Sequence, residues 1–254
     1  MKDTVTKLLE EAEKVYEELQ AKPIADLQYA KDEEIDSGLR DIENRPYLFV
    51  LACVMDRQIT ADKAWTIPYK VCQHFNINDF KGLVALTEED LVTCFEQEKL
   101  HRYNEIMAKS FYAAVQRIQN VYNGDASLIW KGKPSSAEVV YRFLCFDGVG
   151  VKIATMATNL LARDYKVELK DKKAIDISPD VHVCRILCRL GLVESEERNA
   201  VIYKAKEISP DFPGLLDGVC WKFGREFCHP QNPECAKCPL KNVCATNMKK
   251  YKSK

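Results

Sequence analysis

Four cysteines near the end of this 254-residue sequence constrain its folding more than any other feature. Cys228, Cys235, Cys238 and Cys244 follow the spacing C-x6-C-x2-C-x5-C. Four thiolates in one short loop must bind a metal centre or form disulfides. Zinc modules more often use two separate C-x2-C pairs, whereas a single uneven loop suits an iron–sulfur cube in which each iron takes one thiolate. The spacing therefore favours a 4Fe–4S cluster, with zinc as the alternative.

The other seven cysteines are scattered among apolar neighbours, as buried free thiols usually are. They are Cys53, Cys72, Cys94, Cys145, Cys184, Cys188 and Cys220. Free thiols fit a reducing compartment, which disfavours disulfides in the C-terminal loop as well. The longest apolar run, Tyr47 to Met55, is nine residues long and far shorter than the roughly 20 residues that cross a bilayer. We expect a cytoplasmic monomer without a signal peptide or a membrane partner, nucleoid-associated if prokaryotic.

Charge is distributed unevenly along the sequence. Residues 1–45 carry a net charge of −6, so the remainder carries +5. A mildly basic body permits a polyanionic partner without requiring one. Candidate phosphate contacts outside the motifs described below are Lys131, Lys133 and the tail residues Lys249, Lys250, Lys252 and Lys254.

Apolar residues recur with a period near 3.6, which predicts an almost entirely helical fold. A first amphipathic helix contains Val5 to Leu19, and the acidic stretch after Pro23 is predicted to be a connector up to Asp41. Only Tyr165 to Ile177 alternates enough to suggest a short hairpin of strands. Further helices are predicted at 47–57, 60–75, 88–97, 104–122, 136–145, 151–163, 180–190, 195–207 and 214–226.

The segment from Asp147 to Lys152 connects two of these helical patterns. Gly148 and Gly150 flank Val149, which permits a tight turn with positive φ. The second helix then begins with free backbone N–H groups, which attract an anion such as a DNA phosphate. An ordinary corner between two helices is the alternative for so short a motif.

A third motif runs from Pro179 to Leu192. Asp180 stands where a helix N-cap is expected, and capping alone explains an aspartate there. His182 is better explained as a structural residue than as a catalytic one. Neither residue indicates a function by itself.

In this order, the three motifs resemble the endonuclease III superfamily of helix-hairpin-helix DNA glycosylases. The resemblance covers residues 46–245 and includes a weaker match at Met55 to Thr60, whose Gln58 corresponds to a glutamine that enters the duplex gap left by a flipped base. The motif residues that match are Gly148, Val149, Gly150, Lys152, Asp180, His182, Val183, Arg185, Arg189, Leu190, Gly191 and Leu192, with the full cysteine spacing.

The sequence also departs from the family pattern. Asp147 replaces a proline of the hairpin, and Val181 replaces a threonine. Lys152 and Asp180 lie 28 positions apart, more than is usual in the family. The segment Lys99 to Tyr103 replaces a glycine-bearing loop that enters DNA, so the substrate pocket is expected to differ from that of the best-known members.

The resemblance implies an all-α, two-domain fold with a cleft between a six-helix domain and a domain with an iron–sulfur cluster. Residues 1–46 would pack with the C-terminal domain, 47–163 would form the six-helix domain, and 164–254 would hold the cluster. The partner implied is double-stranded DNA with a damaged base or an abasic site. Gln58, Leu100 and His101 are the candidates to fill the gap in the duplex.

The catalytic pair that the resemblance implies is Lys152 and Asp180, facing each other across the cleft. Lys152 would form a Schiff base with the sugar, and Asp180 would stabilise the positive charge on it. Lysine at this position favours a bifunctional glycosylase and apurinic/apyrimidinic lyase, with an oxidised pyrimidine as the best substrate prediction. The alternatives are a monofunctional glycosylase, a catalytically silent iron–sulfur DNA-binding protein and a zinc-bearing interaction module.

Overall fold

The structure, a computed structural model, describes residues 2–252, with side chains up to Met248. Within these residues the chain is all-α, as predicted, with 3₁₀ turns at Ile24–Asp26 and Ala126–Ile129. The helices are α1 (Lys2–Ala21), α2 (Glu33–Arg40), α3 (Pro46–Met55), α4 (Ala61–His74), α5 (Phe80–Val84), α6 (Glu88–Gln97), α7 (Asn104–Val121), α8 (Ser136–Leu144), α9 (Val151–Arg163), α10 (Val181–Leu190), α11 (Arg198–Ile208), α12 (Leu215–Glu226) and α13 (Ala245–Lys252).

The acidic stretch that the sequence predicted to be a connector contains α2. Asp32 caps this helix, since its side chain accepts hydrogen bonds from the backbone N–H groups of Glu34 and Ile35. Acidic residues in the first turn interact favourably with the positive end of the helix. Ile35 and Leu39 are buried, so α2 packs against the core through these two apolar side chains.

The hairpin of strands predicted for Tyr165 to Ile177 is wrong, because the described residues contain no strand there. An isolated two-stranded hairpin is marginally stable in water. The segment instead follows an irregular path held by side-chain hydrogen bonds. Ser136 Oγ donates to Asp171 Oδ1 at 2.6 Å and accepts from the Ala174 N–H at 3.0 Å.

The chain divides into two compact units, which we name after the cluster of four cysteines in one and the glycine-containing helical hairpin in the other. The cluster unit consists of Met1–Ala21, Ser135–Ala137 and Thr158–Lys254, and the hairpin unit consists of Lys22–Pro134 and Glu138–Ala157. Of the segment 1–46, which the resemblance assigned to the C-terminal domain, residues up to Ala21 belong to the cluster unit and those from Lys22 to the hairpin unit.

The core of the cluster unit explains why α1 joins helices from the far end of the sequence. Leu8, Ala12 and Val15 of α1 are buried in the same apolar cluster as Val219 and Phe223 of α12. Burial of this stripe removes apolar surface from water, which is the main stabilising contribution for an amphipathic helix.

The hairpin unit is built around α3, whose residues Pro46 to Met55 are all buried. A helix that is apolar on every side has to be surrounded by other elements, and α2, α4 and α7 pack against it. Burial continues through Asp56, and the chain reaches the surface at Arg57. Among the described residues, none of the helices is both long and apolar enough to cross a membrane.

Candidate functional site

The hairpin of the hairpin unit consists of the end of α8, a tight turn and the start of α9. Gly148 has a φ of 80°, and a Cβ added there would lie 3.4 Å from Arg57 Nη1. Gly150 has no positive φ, and a Cβ there would meet no atom within 4 Å. The first turn of α9 is therefore open at Gly150, and its backbone N–H groups are available to an anion.

Lys152 lies in this first turn of α9, and its side chain is 47% exposed. Its Nζ lies 3.6 Å from Oδ2 of Asp56, whose side chain is 7% exposed. Burial raises the pKa of the Asp56 carboxyl, and the Lys152 ammonium opposes that rise. The predicted nucleophile thus has a buried carboxylate as its partner, and nothing in the sequence indicated this pairing.

Gln58 follows Asp56 in the loop between α3 and α4. It is exposed, has a φ of 59°, and accepts a hydrogen bond from the Tyr103 hydroxyl at 3.2 Å. A second link joins Lys63 Nζ, in the first turn of α4, to the carbonyl of Lys99 at 3.0 Å. Gln58 is therefore presented to solvent from a loop that neighbouring side chains hold in place.

Leu100 and His101 are not exposed beside Gln58, since they are 1% and 3% accessible. The His101 Nδ1 accepts a hydrogen bond from the Tyr103 backbone N–H at 3.0 Å, and burial lowers the pKa of His101. A side chain that enters a duplex has to be accessible to it. In this conformation the two residues support the loop, whereas Arg102 and Tyr103 form its exposed surface.

The other predicted phosphate contacts are only partly described. Lys131 and Lys133 are exposed, and Lys131 pairs with Asp125 at 3.0 Å. The side chains of Lys249, Lys250 and Lys252, and the whole of Lys254, lie outside the described residues.

Asp180 is the N-cap of α10 in the cluster unit. Its Oδ1 accepts hydrogen bonds from the backbone N–H groups of His182 and Val183, both at 2.8 Å. These bonds fix the carboxylate at the positive end of the helix. Lys152 belongs to the hairpin unit and Asp180 to the cluster unit, so their action on one substrate stays a prediction.

A second carboxyl, that of Asp217, interacts with Asp180 and was not anticipated. It accepts a hydrogen bond from the Ser178 backbone N–H at 2.9 Å and retains partial contact with solvent. Burial raises the pKa of Asp217 to about 7 despite this hydrogen bond, and the negative charge of Asp180 adds to the rise.

Asp217→Asn is expected to stabilise the protein more at pH 8 than at pH 5. A carboxyl whose pKa is raised by folding favours the folded state below its unfolded pKa, and that contribution is lost as pH rises through about 7. We expect the difference in melting temperature between variant and wild type to grow by about 5 °C between the two pH values. Asp211→Asn, at an exposed position of the same unit, is the control, and an equal change in both variants would contradict the assignment.

Two arginines of α10 hold the cysteine loop. Arg185 donates to the Cys228 carbonyl at 2.7 Å and contacts the His182 ring at 2.9 Å. Arg189 donates to Cys228 Sγ at 3.3 Å and to the His229 carbonyl at 2.7 Å. His182 thus has the structural surroundings that the sequence favoured, and the spacing of the two arginines aligns them along one side of α10.

The four cysteines of the loop are free thiols. Burial raises the pKa of the Cys238 thiol, the Leu240 backbone N–H opposes the rise, and the nearby Cys228, Cys244 and Cys235 add to it. Within residues 2–252, no three His, Cys, Asp or Glu side chains are close enough to bind a single ion. Four thiols in one loop, one of them in contact with the Arg189 guanidinium, are a suitable donor set for an anionic iron–sulfur cluster.

Comparison with known protein sequences gives one short match to a curated protein. No family model matches the chain. Endonuclease III of Thermotoga maritima is 41% identical over 69 residues, which are 27% of this chain and only 32% of that protein. The sequence match therefore spans about a third of the length of this relative.

Similar solved structures extend over nearly the whole chain. A trapped endonuclease III–DNA covalent intermediate matches with a TM-score of 0.58 and 18% identity, covering 89% of this chain and 99% of that one. A thermostable thymine-DNA glycosylase matches with a TM-score of 0.61 and 16% identity, covering 98% and 96%. The chain therefore has the fold of these endonuclease III and thymine-DNA glycosylase structures, and a 69-residue stretch of its sequence is similar to an endonuclease III.

Proposed function

We propose that this protein is a base-excision DNA glycosylase with an associated apurinic/apyrimidinic lyase activity. The observation that carries the proposal is an accessible lysine, Lys152, in the first turn of the second hairpin helix. The fold it shares with a trapped endonuclease III–DNA covalent intermediate supports a covalent mechanism. The substrate is double-stranded DNA with a damaged base, for which an oxidised pyrimidine is our prediction, or with an abasic site.

DNA binding begins with the phosphate backbone. The open N–H groups at the start of α9 bind a phosphate, and the exposed Arg57 and Arg102 add positive charge on the same unit. A damaged base cannot react within the stack, so it is flipped out at a cost of a few kcal/mol. Gln58, exposed and held by Tyr103, fills the gap that the base leaves.

Bond cleavage uses the two predicted catalytic side chains. As the glycosidic bond breaks, its electron pair leaves with the base, and the Asp180 carboxylate stabilises the positive charge on the sugar. The neutral amine of Lys152 forms a bond to C1′. The C1′–O4′ bond of the sugar ring then breaks, O4′ takes up a proton that the nitrogen loses, and a protonated Schiff base results. The Schiff base makes the C2′ proton acidic, and its removal expels the 3′ phosphate by β-elimination.

Cys228, Cys235, Cys238 and Cys244 would hold a 4Fe–4S cluster in the C-terminal loop. Four thiolate bonds to one group would cross-link this loop. Cys228, Cys238 and Cys244 also pack against the core of the cluster unit. We assign the cluster a structural role, together with Arg189, which binds the loop from α10.

Purified protein is expected to be brown and to contain about four irons and four acid-labile sulfides per chain. Cys235→Ser is expected to lower the yield of folded protein and the iron content, because one thiolate ligand is lost. Cys188→Ser, which changes a cysteine outside the loop, is the control. Stoichiometric zinc without sulfide after anaerobic preparation would show that the zinc alternative is correct.

Borohydride trapping on duplexes tests the proposed function directly. Wild-type protein is incubated with an abasic-site duplex and with duplexes carrying single oxidised, deaminated or mismatched bases, with and without borohydride. We expect a covalent adduct on the abasic site, and base release followed by an adduct on at least one lesion. Base release without an adduct would identify a monofunctional glycosylase, and binding without either would identify a silent DNA-binding protein.

A further inference from the structure

The carboxyl side chain of Asp56 is buried at the end of α3, although the helix does not need this side chain to end there. It lies at the end of the fully buried α3 and is itself 6% exposed. The bond that ends the helix comes from its backbone, whose N–H donates to the Cys53 carbonyl at 3.1 Å. Burying a carboxylate costs free energy unless a charged partner or several hydrogen bonds compensate for it. The position therefore requires an explanation that involves the side chain.

The Asp56 side chain contacts the charged Lys152 side chain. The other ionisable groups nearby do not replace Lys152 as its partner. Within α3, burial raises the pKa of the Cys53 thiol far above its usual value, so this thiol is neutral. The His101 ring faces the backbone of Met55 and Arg57, and burial lowers the pKa of His101. The Arg57 guanidinium lies beside Gly148.

We propose that Asp56 is the positioning residue of Lys152 and exchanges protons with its amine during Schiff-base formation. This inference rests on the proposed function, because it concerns the same nucleophile. The distance of 3.6 Å between Nζ and Oδ2 is close to that of a direct hydrogen bond, and a small rotation of the exposed lysine side chain closes it. Burial of Asp56 fixes the acceptor, whereas the half-exposed Lys152 is free to reach C1′.

The protons balance in this scheme. The Lys152 ammonium gives one proton to the Asp56 carboxylate, and the resulting amine bonds to the C1′ aldehyde of an abasic site. The aldehyde oxygen takes up the carbonyl electron pair and receives the proton from Asp56. A second nitrogen proton follows the same route, and the oxygen leaves as water. The protonated Schiff base keeps the third proton, so the carboxylate is regenerated without net uptake of protons.

The raised pKa of Asp56 supports this role. A carboxyl at its usual pKa holds a proton too weakly near neutral pH to return it efficiently, and proton transfer is most efficient when the pKa of the catalytic group is near the working pH. The carboxyl group thus serves as acceptor and donor in one cycle.

Two measurements test the proposal. The first is the rate of borohydride trapping on abasic-site DNA between pH 6 and 9. The second is the rate at which formaldehyde and cyanoborohydride dimethylate Lys152, a reaction that forms a Schiff base without DNA. Peptide mass spectrometry follows this labelling. For Asp56→Asn we expect both rates to fall at least tenfold at pH 7, to rise steeply with pH, and to approach wild type at pH 9.

Asp62→Asn is the matched control, because Asp62 pairs with Lys31 on the surface of the same unit. It should leave the labelling of Lys152 and the trapping rate unchanged. Asp56→Glu keeps a carboxyl group, so its trapping and labelling rates should depend on pH as weakly as those of the wild type. This variant keeps the test valid if Asp56→Asn folds poorly. The proposal would be overturned if Lys152 in Asp56→Asn is labelled as fast as in the wild type or faster, or if the rates of this variant fall equally at every pH. It would also be overturned if the rates of Asp56→Glu depend on pH as those of Asp56→Asn do.

The two measurements also separate this inference from the proposed function. If wild type forms no adduct with DNA while the labelling of Lys152 depends on Asp56, the lyase function fails and the role of Asp56 stands. If wild type forms the adduct and labelling does not depend on Asp56, the role of Asp56 fails and the function stands.

Discussion

Lys152→Gln is expected to abolish borohydride trapping on abasic-site DNA and the strand cleavage that accompanies it. A glutamine amide has no nucleophilic lone pair on nitrogen, so no Schiff base forms. The affinity for duplex DNA should change little, because one cation contributes a small part of a phosphate-dominated interface. The measurements are adduct yield on a denaturing gel and the dissociation constant at a fixed salt concentration.

The control for this experiment is Lys109→Gln. Lys109 is exposed on α7 of the same unit and pairs with Glu105 four residues earlier. The Lys109→Gln variant should form the covalent adduct with abasic-site DNA as the wild type does. Because Lys152→Gln leaves Asp56 buried without its cation, the folded state of the variant has to be checked by its melting temperature. Full trapping by a folded Lys152→Gln protein would show that another amine is the nucleophile.

Asp180→Asn is expected to slow base release by at least about a hundredfold. The substitution removes a positioned charge, and electrostatic contacts of this kind contribute about 3 kcal/mol or more to transition-state stabilisation. Folding should be preserved, since both capping bonds are accepted by one oxygen and the asparagine side-chain oxygen accepts the same bonds. Single-turnover base release from a lesion duplex measures the effect.

Asp32→Asn is a closely matched control for Asp180→Asn. Asp32 caps α2 with the same pair of bonds, to the second and third residues after it, but lies outside the proposed catalytic set. The two variants should have similar melting temperatures, and base release should be slow only in Asp180→Asn. A similar small effect of both variants on base release would mean that Asp180 is a helix cap and nothing more.

The sequence predicted most of the helices because their signals are local. Helix α6 begins and ends where the pattern placed it, and its capping box at Thr87 and Asp90 is formed. Repeated apolar residues and capping side chains act within a few turns, so they can be read from neighbouring positions. The shorter α2 and α5 were missed, since a short helix offers too few apolar positions to establish a period.

The sequence by itself determined the helical class, the glycine turn before α9 and the four-thiol loop, because each depends on residues close together in the chain. Only the tertiary structure decided that α1 packs against α12, that Leu100 and His101 are buried, and that Lys152 is paired. The partner of Lys152, Asp56, comes from the end of a different helix. Burial and charge pairing depend on which distant segments meet, and the packing of the complete core decides that.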